Sequence, residues 1–178
     1  TYNGLVQARN RYRNAFAQID VQLQRRFDLI PNLVEAARAY MAHESQTLEA
    51  VIAARSAAMG GLAAAKARPG DARAMEQLAQ GQGQLDSALG RLMMVSEAYP
   101  ELKANTTMLQ LGEELTSTEN RVGFARQAFN DAVTDYNNRR EMFPGSLVAG
   151  PFNFELASLL EIAAQQREQV RAAPRITF

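Results

Sequence analysis

Few residues in this 178-residue chain could do chemistry. Glu113, Glu114 and Glu119, followed by Asp131 and Asp135, place carboxylates at helical spacing, an arrangement suited to a metal or to acid–base work. A di-iron helical bundle, however, needs two Glu-x-x-His motifs plus further carboxylates. His43 is the only imidazole, and Tyr40 stands where that motif requires an acid. His43 is therefore read as a hydrogen bonder on or between helices. The carboxylates are read as solvated faces and charge pairs, such as Glu119 with Arg126 or Asp131 with Arg25. Cysteine is absent, which excludes disulfides, thiolate chemistry and Cys-based zinc sites. These residues point to no catalytic centre, no metal site and no cofactor.

The polar residues suggest contact rather than catalysis. Arg25, Arg26, Asp28, Asn32 and Glu35 bracket Pro31, while Asn105, Glu119, Asn120, Arg121, Arg126, Asn130 and Asn137 recur along a later segment. Asparagine is a middling-to-poor helix former, so its repetition needs a reason. It either fixes register through inter-helix hydrogen bonds and caps, or forms a polar strip for a partner. The candidate interaction surface is Arg25, Arg26, Asp28, Asn32, Glu35, Asn105, Glu119, Asn120 and Arg121.

Helices must position these groups. Apolar residues follow a three-four alternation from Leu5 to Phe27, again from Leu33 to Ile52, from Leu85 to Tyr99, and from Leu102 to Phe143. An interior proline costs a helix about 3 kcal/mol, so Pro31 is expected at a corner that opens a new helix, with Asp28 as its cap. Pro100 is expected to open the longest helix in the same way. Gly60-Gly61, Pro69-Gly70 and Gln80–Gln84 break the pattern, so residues 60–84 read as a flexible hairpin tip. A loop from Pro144 and a short helix over Leu156–Val170 complete a single domain, 1–178. The fold class is all-α, an antiparallel up-down four-helix bundle with a short C-terminal helical segment. Nineteen basic and nineteen acidic residues cancel, which argues against nucleic acid as a partner. No stretch approaches ~20 consecutive apolar residues.

Several long blocks resemble the LemA family of bacterial proteins: "YNGLVQARNRYRNAFAQIDVQLQRRFDLIPNLVEAARAYMAHESQTLEAV", "EAYPELKAN", "ELTSTENRVGFARQAFNDAVTDYN" and the closing "REQVRAAPRITF". The resemblance implies an antiparallel helical bundle carried on an N-terminal membrane anchor, a hydrophobic helix or a lipid-modified cysteine. One branch of the family takes part in building magnetosome membranes. It implies no enzymatic activity and no catalytic residue.

The leading expectation is a non-catalytic scaffold or interaction module at a bacterial cell membrane. It would be held by a segment before Thr1, with unidentified protein partners and homo-oligomer formation left open. Arg9, Arg11 and Arg13 flank the start, which places the bundle in the cytoplasm by the positive-inside rule, or in the periplasm if the anchor is a lipoprotein signal. The rival is a lipid- or small-molecule-binding bundle with a cavity lined by Tyr40, Met93, Phe129 and Tyr136. In the leading reading the isolated domain leaves vesicles unbound. The 60–84 tip and the tail face the bilayer, and the proline corners project about 40–60 Å away.

Overall fold

The computed structural model describes residues 1–161. These are all-α, with no strand among them. The helices are α1 (Tyr2–Arg38), α2 (Ser45–Ala67), α3 (Ala72–Ser96), α4 (Pro100–Lys103), α5 (Thr106–Glu141) and α6 (Gly145–Ala149).

The apolar stripe of α1 becomes its buried face, from Leu5 through Tyr12, Phe16, Ile19, Leu23 and Phe27 to Leu33, Val34 and Ala37. It packs on α5, where Phe129 meets both Tyr12 and Phe16 edge-on. The expected corner at Asp28–Asn32 is overturned. Helix α1 runs unbroken through Pro31, and the chain turns at residues 39–44 instead. Leu33, Val34, Ala37 and Met41 are all buried beyond the proline. At about 1.5–3 kcal/mol for each large apolar side chain, that burial outweighs the roughly 3 kcal/mol cost of the proline.

Two of the three breakers in 60–84, Gly60-Gly61 and Gln80–Gln84, also fall inside helices. Helices α2 and α3 pack closely along this stretch, and only residues 68–71 form a turn. Gly70 adopts φ +86°, the left-handed region that glycine enters without strain, and the Asp71 carboxylate caps α3 by accepting from Ala74 N. A Cβ at Gly61 would lie 3.1 Å from the Gln77 carbonyl oxygen, and one at Gly81 3.1 Å from Ala58 Cα. These two glycines are a packing seam, not a loop signal.

Two further boundaries differ. Pro100 opens only the single turn of α4, and the long helix begins after Asn105, whose side chain accepts from Met108 N. Residues 156–161 lie outside any helix, against the expected Leu156–Val170 helix. The rest of that expectation, from residue 162, lies outside the described residues.

Connections 39–44 and 97–105 meet at one end. There the Tyr99 hydroxyl donates to Glu44, and Asn105 Nδ2 donates to the Tyr40 hydroxyl. The start of α1, the end of α5 and α6 share the opposite end, where a Cβ at Gly145 would touch Thr1 and collide with the Arg139 carbonyl. Helices α1 and α5 are about 55 Å long, whereas α2 and α3 reach only about 35 Å. Lys66 pairs with Asp20 at 3.2 Å, and Gly70 abuts Tyr12, so the α2–α3 turn stops short of the α1 start. The overhanging ends of α1 and α5 are covered by α6 and by residues 150–161, here called the strap.

Among the described residues, α2 alone has the length and mean hydropathy, 1.3, to cross a membrane. Alanine supplies much of that hydropathy, and Glu49, Arg55 and Lys66 interrupt it. Its Leu48, Val51, Ala58, Leu62 and Ala65 belong to the core shared with the other helices.

Candidate functional site

The expected interaction residues separate into structural ties and a surface. Arg26 is buried, where one guanidinium nitrogen pairs with Asp86 and the other donates to Gln82 Oε1 at 2.8 Å. It fixes α1 to α3, and its place on the candidate surface is corrected. Breaking such a tie is destabilising, because it removes charge-assisted hydrogen bonds to two α3 side chains. Asn105 is the α5 cap and the Tyr40 partner. Arg25, Asp28, Asn32 and Glu35 are exposed and recur three and four residues apart, so they form one solvent face of α1. Glu119, Asn120 and Arg121 are exposed at consecutive positions of α5, which fans them around the helix instead of along one face.

Asparagine repetition on α5 has a definite object: the strap. Asn137 donates to Ala157 O at 2.8 Å and accepts from Ala157 N at 3.0 Å. Asn130 does the same for Leu160, at 2.9 and 2.8 Å. The two asparagines are two helical turns apart, about 10.5 Å, and residues 157 and 160 of an extended chain are separated by roughly 10 Å. The spacings match, so each side-chain amide closes on the N–H and C=O of one residue as a neighbouring strand would. The Tyr136 hydroxyl donates to Glu155 O and Arg140 Nε to Phe154 O, both at 2.6 Å, while Ser158 N donates to Gly70 O at 2.7 Å. Burial, and then the neighbouring Tyr12, push the Tyr136 phenol above its ordinary value of 10.0, although Arg9, Arg140 and Arg13 pull it down.

His43 sits exposed in the 39–44 connection, and no group of three metal-ligating side chains occurs among the described residues. Asp135 is engaged by Arg11 at 3.2 Å and by Arg139 at 3.0 Å. The four side chains of the rival cavity do not converge. Tyr40 is bound at Asn105 while Tyr136 lies at the other end of α5, about 45 Å away by helix rise.

What the sequence reading missed is an apolar cluster at the end where α1 begins. Met142, Phe143 and Leu147 are 65%, 79% and 67% exposed. Phe152, also exposed, stacks edge-on against Tyr2 at 5.1 Å. The signal available was "MFPGSLVAGPF", which carries more apolar residues than a solvated loop needs.

A model of the family described as "LemA family" matches residues 15–178. The chain is 26% identical to the magnetosome protein MamQ of Magnetospirillum gryphiswaldense over 163 residues, covering 83% of this chain and 60% of that protein. It is 29% identical to magnetosome proteins MamQ 2 and MamQ 1 of Paramagnetospirillum magneticum over 92 residues, covering 52% of this chain and 34% of each. The chain thus spans less than two thirds of the length of these relatives.

Proposed function

The chain belongs to the LemA family, and from that membership we propose that it is a non-catalytic, membrane-anchored interaction module. In this reading the four long helices form an antiparallel up-down bundle, held at the bacterial cell membrane by a segment preceding Thr1. The apolar cluster at the α1 start carries the proposal. Exposed apolar side chains grouped at one end mark a surface for lipid or protein, and here they surround the point where the chain enters the fold. Met142, Phe143, Leu147 and Phe152 rest on the bilayer interface. Arg9, Arg11 and Arg13 follow within the next turns of α1 and support a cytoplasmic bundle. The end formed by residues 39–44 and 97–105 projects about 55 Å away. Protein partners are met there and on the α1 face of Arg25, Asp28, Asn32 and Glu35. The α2–α3 turn lies beside Tyr12 and not at the membrane end, which revises the sequence-based orientation.

The test is site-specific photocrosslinking in membranes, using the protein with its native upstream sequence. Crosslinkers at Phe143 and Leu147 should capture lipid, and those at His43 and Asn32 should capture protein. Lipid captured at His43 and not at Phe143 would refute the orientation. Recovery of the native protein wholly in the soluble fraction would refute the anchor.

A further inference from the structure

We propose that the cavity between α1, the α2–α3 turn and the strap is a binding site for a phosphate group. The cavity has a volume of about 820 Å³, within the usual range for ligand sites. Four cationic side chains line it, Arg9, Arg13, Lys66 and Arg68, against two carboxylates, Asp71 and Glu155. Two of these charges are already engaged, because Lys66 pairs with Asp20 and Asp71 caps α3. The side chains of Arg13 and Arg68 have no hydrogen bond or ion pair among the described residues, although they approach the cavity from different elements.

One polar group has been taken out of water there without receiving a partner. Arg9 lies over the Phe154 ring, 4.8 Å from its centroid, and its Nε is buried with no acceptor. The Tyr12 phenol also lines the cavity. A buried donor left unsatisfied costs about 1–3 kcal/mol, which an incoming acceptor would recover. Three guanidinium groups offer only donors, and guanidinium forks match the oxygens of phosphate in a bidentate manner. The surplus of two positive charges suits a dianionic phosphate monoester better than a single carboxylate. Such a group could belong to a lipid headgroup or to a soluble phosphate compound.

The test is a titration of the full 178-residue chain with inorganic phosphate at fixed ionic strength, following the Arg9 Nε–H resonance by NMR. Saturable shifts are expected, and chloride should not reproduce them. The double variant Arg13→Gln/Arg68→Gln should weaken binding by about tenfold or more. Glu155→Gln should tighten it severalfold, since the strap is held at this residue through its backbone carbonyl. Both variants change exposed side chains, so their melting temperatures should match the parent. Vesicles of phosphatidylcholine, with and without phosphatidic acid, identify the source. Binding that requires phosphatidic acid indicates a headgroup, whereas free-phosphate binding alone indicates a soluble compound. No saturation by about 10 mM phosphate, equal shifts with chloride, or unchanged affinity in the Arg13→Gln/Arg68→Gln variant would overturn the proposal. Its failure would leave the membrane orientation intact, because that is carried by the exposed Met142, Phe143, Leu147 and Phe152.

Discussion

Arg55 Nε of α2 donates to the Phe27 carbonyl of α1 at 2.8 Å. In an uninterrupted helix that carbonyl would accept from residue 31, and Pro31 has no N–H to give. The proline thus exposes an acceptor in the middle of α1, and the neighbouring helix uses it. Pro31→Ala should stabilise the protein by up to about 3 kcal/mol, less whatever is lost by relaxing the α1–α2 contact. Arg55→Met should cost about 1–3 kcal/mol in the parent and much less when Pro31 is Ala. Urea denaturation of the four proteins measures this coupling, and independent effects would disprove it.

The strap should depend on its two clamps. Asn130→Leu and Asn137→Leu should each cost about 1–3 kcal/mol, because each strands the backbone N–H and C=O of a buried residue. Hydrogen exchange at Ala157 and Leu160 should quicken before exchange in the centre of α5 does. Equal protection in the variants and the parent would show that the apolar contacts of Phe154 and Leu160 hold the strap unaided.

Glycines of α2 and α3 should respond with opposite signs. Gly81→Ala forces a methyl group to within 3.1 Å of Ala58 Cα and should destabilise by about 1–3 kcal/mol. Gly60→Ala and Gly90→Ala meet nothing within 4 Å and should stabilise by up to about 1 kcal/mol. Thermal melts of the three single variants decide the matter.

Tyr136 should make stability fall at alkaline pH. Its phenol is shifted upward in the folded chain by burial first and Tyr12 second, so the folded state retains a proton that the unfolded chain has begun to lose. The contribution is complete below about pH 10 and declines as pH rises through the folded value. Tyr136→Phe should lose about 1 kcal/mol at neutral pH, with the hydrogen bond to Glu155 O, and show a flatter decline above pH 10. Parallel alkaline slopes for variant and parent would place the titration elsewhere.

Much of this architecture was legible, and the failures have a common cause. The stripes of α1, α3 and α5 could be read directly, because one face of a helix is buried whatever its partner. Pro31, Gly61 and Gly81 were misread because propensity gives only the local cost, and the partner that repays it lies on another helix. Residues 156–160 carry apolar side chains at a helical interval, yet the chain there lies outside any helix because Asn130 and Asn137 supply the backbone partners. Those asparagines were recognised as needing a reason, but their object could not be found from spacing alone. At the candidate surface, Arg25 and Arg26 differ by one position and by about 100° around the helix. That rotation turns a solvated charge into a buried ion pair, and the sequence alone does not fix it.

The clamps on the strap read peptide groups and ignore side chains. Glu155, Leu156 and Leu159 are exposed, and the docking bonds at 155, 157, 158 and 160 all use backbone atoms. Selection for folding therefore places little demand on what those three exposed positions display. They form a display strip beside the apolar end, where new recognition chemistry could accumulate, or be grafted, without renegotiating the fold.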